Sequence, residues 1–414
     1  MGDNIRRGAP PSGGGDLADA ADGVDEGDDG DEVEPEGDAR RGAMSRWQPP
    51  ERPRVLPNRR PRWQRTAIGA LKAVLAAGVV VVSFVVLAGA VLYLTTPDPR
   101  PSPGWALHTP MPSARGEVAS VAAGGRLHVA GGLSGLSSVS SMLATYDPGA
   151  DQWEIGPDLP APRHHAAMGS VAELVVVTGG VSGLRTWTAQ TDAWALDTSE
   201  ADGEWSPIER LPEGRYGHAA VGIGASLVVV GGEGGSDDTL VWQPVQGWSR
   251  RAPIPVGRDH LAAAQWNGEV WVLGGRSGGS LSDRVDIYAP STDTWRRGPA
   301  LPKGMSAMAV GVLDGPDGRS ELHVVGGEKA GLLGGVIRDH YVLRLGSSAW
   351  LTSSRSALPV HGAGFGVIGG RLLLGGGASR HDVMSVLSWT TATQSFSPDD
   401  APPYEPVELA ADDS

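Results

Sequence analysis

SLVVVGGEGG (Ser226–Gly235) is an apolar run that stops at a glycine pair. Alone, it has the outline of a strand leading into a phosphate-cradling loop. Its copies decide otherwise. Apolar runs end in glycine pairs at Gly131–Gly132 (RLHVAGG), Gly179–Gly180 (LVVVTGG), Gly231–Gly232, Gly274–Gly275 (EVWVLGG), Gly326–Gly327 (ELHVVGG) and Gly375–Gly376 (RLLLGG), at intervals of 48, 52, 43, 52 and 49 residues. A phosphate loop is needed once, whereas a recurrence near 50 residues is a repeat architecture.

Other residues keep the same period. Downstream of each pair stands an aromatic residue (Tyr146, Trp194, Trp242, Tyr288, Tyr341, Trp389), and a second follows it (Trp153, Trp205, Trp248, Trp295, Trp350, Phe396). Upstream, Arg115, Arg163, Arg215 and Arg258 each precede their glycine pair by sixteen residues. Each unit reads as four short strands: a small-residue strand, a tight turn such as Asn267–Gly268, the apolar run, and two strands carrying the aromatics. Six such units call for radial packing about an axis, with Ala and Gly innermost where strands converge and aromatics filling the wider outer space. The fold class is all-β.

The glycine pairs, the spaced Tyr/Trp residues and the Arg/His before the first strand resemble the kelch repeat. The resemblance covers Trp105 to about Pro402 and implies a six-bladed kelch β-propeller over 105–401. Closure has two alternatives: WALHTPMP (Trp105–Pro112) looks like an extra fourth strand, yet TQSFSP near the C-terminus looks like one too.

The remaining chain divides by composition. Its formal net charge is −14, and twelve of its acidic residues lie between Asp16 and Asp38 with no Lys or Arg among them. Outside that stretch the charge is near neutral, which argues against a nucleic-acid-binding surface. Residues 1–65 read as a disordered tail, acidic and then basic and Pro-rich, because they lack the large apolar side chains that offset chain entropy. Asp25, Asp29, Gly30 and Glu36 match part of a calcium-loop pattern by chance, since Gly27 occupies a ligand position. Ala73–Leu94 carries no charge over 22 residues, so 66–96 is expected to be a transmembrane helix, followed by a linker at 97–104. The arginines on its N-terminal flank predict that the tail is cytoplasmic and the propeller extracytoplasmic. Residues 402–414 form an acidic C-terminal tail.

Catalytic patterns are weak. GRSGG (Gly275–Gly279) matches a nucleophile elbow but precedes a strand rather than a helix. A dinucleotide pattern after Gly232 fails at Asp237. No histidine pair has local metal-ligand spacing, and the chain has no cysteine, which removes thiol chemistry, disulfides and the cysteine-dependent cofactor of galactose-oxidase-like enzymes that resemble kelch proteins in fold. No cofactor, metal or catalytic residue is therefore expected. Binding is expected on the face where first strands begin and second strands end. The candidates there are Arg115, Arg163, Arg215, Arg258, His165, His218 and His260, with the loop residues Trp187, Glu233, Asp237, Asp238 and Arg276. Guanidinium groups suit anions, so the expected partner is an envelope protein or anionic glycan. Two alternatives stand beside it: a sugar mutarotase-like enzyme needing a carboxylate and a histidine converging in the channel, with Glu117 the candidate carboxylate, and a scaffold signalling through the acidic tail.

Overall fold

The computed structural model describes residues 62–95, 99–136, 138–200, 202–235, 237–329, 335–380 and 388–407. The tail before residue 62, its calcium-loop match and the residues from 408 onward lie outside them. Among the described residues there is one α-helix, Arg62–Thr95. Pro61 precedes its first residue and Pro97 follows its last by two, the placements at which proline starts and stops a helix. Its segment Thr66–Leu87 is long and apolar enough to cross a membrane, by length and composition.

The strands form six antiparallel four-stranded blades. In the third, Ala219–Ile223, Ser226–Val230, Thr239–Gln243 and Gly247–Arg251 follow one another outward, with Ala220 opposite Val229, Leu227 opposite Trp242, and Trp242 opposite Trp248. The apolar run shows no alternation because both of its faces are buried. Val228 and Val230 enter the core shared with the fourth blade, while Leu227 and Val229 enter the core shared with the second. Each second strand is thus sandwiched between neighbouring sheets, which selects a predominantly apolar run.

The innermost strands (Ala119–Ala123, Ala167–Val171, Ala219–Ile223, Ala262–Trp266, Ala309–Asp314 and Gly364–Ile368) are neighbours around a closed ring. Their backbones approach so closely that a Cβ on Gly222 would stand 1.9 Å from the Ser170 carbonyl oxygen.

The glycine pair has a specific task. Both Gly231 and Gly232 have positive φ, and the Gly232 amide donates to the carbonyl of Arg258 in the next blade at 2.8 Å. A Cβ on Gly231 would stand 2.7 Å from that same oxygen. The bond recurs at every blade junction: Gly132 to Arg163, Gly180 to Arg215, Gly275 to Met305, Gly327 to Val360, and Gly377 to Arg115. The last of these corrects the sixth pair, which is Gly376–Gly377, since Gly375 is the final residue of its strand.

A second periodic contact binds the blades near their outer edge. The fourth-strand indoles donate N–H groups to carbonyls of the preceding blade: Trp153 to Thr109, Trp205 to Pro157, Trp248 to Glu209, Trp295 to Ala252, Trp350 to Pro299 and Trp105 to Ser354. The presence of Trp105 in this series resolves closure. Trp105–His108 pairs with Thr393–Phe396 as the fourth strand of the sixth blade, so TQSF is a third strand. Phe396 opposite Leu372 occupies the place that Tyr146 holds opposite Leu127. Two aromatic assignments therefore change. Phe396 is the third-strand aromatic, Trp105 is the fourth-strand one, and Trp389 lies in a loop where it bridges to Ala378. The chain's C-terminal side adds a different element: Glu405–Pro406 lies against Leu351 and Thr352 as a fifth strand on blade five.

Candidate functional site

The arginines expected to line the mouth are inside the protein. Relative exposure is 0% for Arg115, 3% for Arg163, 0% for Arg215 and 2% for Arg258. Their sixteen-residue spacing is itself a hydrogen bond in three of the four units: Arg115, Arg215 and Arg258 donate to the carbonyls of Gly131, Gly231 and Gly274. Arg163 instead meets Asp192 at 2.6 Å and lies over the Trp194 ring. The structure thus places these guanidinium groups within the protein, where they hold blade to loop, and Arg258 also borders a groove between the third and fourth blades.

The channel mouth is built two residues further on. The six residues Glu117, His165, Gly217, His260, Ala307 and Gly362 all have positive φ. Each amide donates to the carbonyl of the preceding member (Glu117 to Gly362, His165 to Glu117, Gly217 to His165, His260 to Gly217, Ala307 to His260, Gly362 to Ala307), so the ring of bonds closes on itself. Glycine is the residue that adopts this conformation without strain. Glu and His at three of the positions cost about 1 kcal/mol or more each, and strain of that kind concentrates at functional sites.

Those three side chains meet. The ligand-capable atoms of Glu117, His165 and His260 lie within 4.8 Å of one another, although the residues come from three different blades. Glu117 Oε2 is 3.4 Å from His165 Nε2, and Glu117 Oε1 is 3.4 Å from His361 Nδ1. The imidazoles of His165 and His260 stand edge to face at 4.8 Å. The two glycines leave room for them: a Cβ on Gly362 would run into the Glu117 carboxyl, and one on Gly217 would meet the His260 ring. Asp259 contacts His260 Nδ1, and Arg276 lies against the same ring while pairing with Asp259 at 3.0 Å and Glu328 at 3.6 Å. Trp187, 47% exposed, packs on His164, His165 and Tyr216. Behind this rim a channel of about 660 Å³ is lined mostly by Ala, Gly, Val and Met.

The charge states follow from burial and neighbours. Burial pushes His165 down to about 3 against the pull of Glu117, so it is neutral. Burial would raise the Glu117 carboxyl, but the surrounding histidines hold it well below the usual carboxylate range. Burial also opposes protonation of His361, yet the adjacent Glu117 raises its pKa. An ionised carboxylate thus faces the neutral imidazole of His165 at the channel rim.

The remaining candidates separate. Glu233, Asp237, Arg276 and Asp259 surround a groove between the third and fourth blades. Asp238 lies apart, its carboxylate paired with Arg250 and its carbonyl bound by Arg215. His218, one residue beyond its ring position, is buried and hydrogen-bonded to Thr178. Local spacing does not reveal the Glu117–His165–His260 convergence or the flanking Asp259 and Tyr216. The slot two residues after each arginine was the signal that could have found it.

His218 carries a stability prediction. Burial, followed by the Arg215 charge, pushes it down to about 3, and burial leaves His340 well below its ordinary value. Both are neutral when folded but take a proton near pH 6.5 when unfolded. Below that pH the unfolded chain binds more protons, so stability is full above about pH 6.5 and falls as pH drops, with a slope approaching about 1.4 kcal/mol per pH unit for each group. Urea unfolding should show the decline starting before the carboxylate range, and His218→Gln should shallow it. A flat profile between about pH 7 and pH 5 contradicts this assignment.

Known proteins agree with this architecture. Two family models, both described as kelch motif, match residues 257–302 and 114–160. Human Kelch-like protein 33 is 34% identical over 133 residues, which are 30% of this chain and 24% of that protein. Bovine Kelch-like protein 36 is 22% identical over 265 residues, 50% of this chain and 43% of its own length. The chain spans less than half the length of these relatives. The solved structure of YjhT superposes with a TM-score of 0.58 at 16% identity, over 69% of this chain and 95% of that one, which speaks to the fold alone.

Proposed function

We propose, on the premise that this chain is a six-bladed propeller of kelch motifs, that it is a membrane-anchored binding module whose recognition surface is the rim of the central channel. Kelch propellers generally bind protein partners, and the coarse reading follows from the motifs. The observation that carries the finer one is the concentration of reactive and aromatic side chains (Glu117, His165, His260, Trp187, Arg276) around the rim of a channel lined mostly by small apolar residues. Trp187 offers an exposed ring on a loop, and tryptophan and arginine dominate interface energetics. The apolar helix supplies the anchor, and the arginines preceding it favour a cytoplasmic tail with the propeller outside, facing an envelope protein or glycan.

A second reading has its own support. A carboxylate converging with histidines at a channel mouth is what a sugar mutarotase-like enzyme needs, with Glu117 moving the proton. One experiment separates the two. Full-length protein in lipid nanodiscs is tested against extracytoplasmic proteins, a glycan panel and reducing sugars. Trp187→Ala and Arg276→Glu should each weaken capture of the partner by roughly 30-fold. Capture indifferent to both removes the rim as the recognition surface, and turnover of a reducing sugar abolished by Glu117→Gln establishes the enzyme. Protease added outside intact cells should cut the propeller; a protected propeller inverts the topology.

A further inference from the structure

We propose that Glu117, His165 and His260 form a binding site for a divalent transition metal ion, with zinc the fitting occupant. The donor set is two imidazoles and one carboxylate, which suits zinc and related ions. The separation of 3.4 Å between Glu117 Oε2 and His165 Nε2 is long for a hydrogen bond. It matches the edge of about 3.3 Å expected between two ligands that each stand about 2.0–2.1 Å from a tetrahedral zinc. All three donors lie within 4.8 Å of one another.

Three further observations are independent of these distances. First, the chain accepts positive φ at Glu117, His165 and His260, where its own equivalent positions use the small residues Gly217, Ala307 and Gly362. Second, those two glycines vacate the space that the Glu117 and His260 side chains occupy. Third, Asp259 contacts Nδ1 of His260, the arrangement by which a carboxylate orients a metal-binding imidazole; the Arg276 guanidinium, 2.8 Å from Nε2, has to swing aside for the ion to bind there. The surrounding charge also fits. The carboxylates of Glu117, Asp259 and Glu328 outnumber the basic groups Arg276 and His361 beside them, which favours a cation. With three protein ligands, the ion keeps a coordination position for a ligand in the channel that the same three residues line.

The site holds whether or not a protein docks on the rim, so its test uses the metal alone. Full-length protein stripped with chelator is titrated with Zn²⁺ by calorimetry and with Co²⁺ by visible absorption. A single Zn²⁺ should bind, and Co²⁺ should develop the d–d bands of nitrogen and oxygen ligation. Glu117→Gln, His165→Gly and His260→Gly should each weaken Zn²⁺ binding at least about 100-fold, and Asp259→Asn about 10- to 100-fold. The glycine variants place at these positions the residue already present at Gly217 and Gly362, and Glu117→Gln preserves side-chain shape, so each can be checked by thermal melting in chelator. Absence of Zn²⁺ binding to the wild type, or wild-type affinity in these variants, overturns the proposal.

Discussion

Arg258→Met is expected to lower the unfolding free energy by about 3–5 kcal/mol, the usual consequence of breaking a buried ion pair on one side. Arg258 and Asp286 meet at 2.7 Å with both side chains fully covered. The same guanidinium also donates to the carbonyls of Gly274 and Val256. Removing it strands the Asp286 carboxylate with only the partly exposed Arg284 at 2.6 Å and leaves the Gly274 carbonyl without that donor. Stranding a buried charge costs more than the pair contributes, so Arg258→Met combined with Asp286→Leu should recover most of the loss. Urea unfolding of the full chain measures both. A loss below about 1 kcal/mol for the single variant, or no recovery in the double, refutes the structural role. Intact stability with abolished partner binding would return Arg258 to the recognition surface.

This arginine also shows where reading the sequence succeeds and stops. A charged residue at constant spacing from a glycine pair looks like a solvated ligand hook, because one-dimensional spacing carries no depth. The spacing was informative for a different reason: it is the reach from a guanidinium to a carbonyl across one blade. Fold and blade count were legible because each blade repeats the same packing problem, and six copies remove ambiguity that SLVVVGGEGG has alone. The rim cluster was illegible because its members lie in separate blades, and only ring closure brings Glu117 beside His165 and His260. His218 and His361 look equivalent to His165 in the sequence, but each is one position off the ring, at Gly217 and Gly362. That one-residue difference sends His218 to Thr178 and His361 to the carbonyl of Arg380 and the carboxylate of Glu117. Closure stayed open for a related reason. Phe396 and Trp105 are both aromatic, and only strand pairing says which is third and which is fourth.

That pairing yields the second large effect, Trp105→Ala. Trp105 packs its ring 5.4 Å from Phe396 and 5.8 Å from His340, and its indole N–H donates to the Ser354 carbonyl. Truncating a packed tryptophan costs about 3–5 kcal/mol. Here the loss falls within the sixth blade, whose strands come from distant parts of the chain, residues 105–108 pairing with 393–396. In Trp248→Ala the same local contact is lost, but Gly247–Arg251 remains tethered to Thr239–Gln243 by the short segment between them. Trp105→Ala should therefore do what Trp248→Ala does not: it should free the outer strand and turn Thr393–Phe396 into an unprotected edge. Hydrogen exchange should then accelerate across Thr393–Phe396 while blade three stays protected. The C-terminal strand gives the control, because Glu405–Pro406 pairs with blade five rather than blade six. Removing residues 405–414 should leave exchange at Thr393–Phe396 unchanged. If that truncation opens the sixth blade as far as Trp105→Ala does, closure belongs to the C-terminus and the assignment of Trp105 as the closing tryptophan fails.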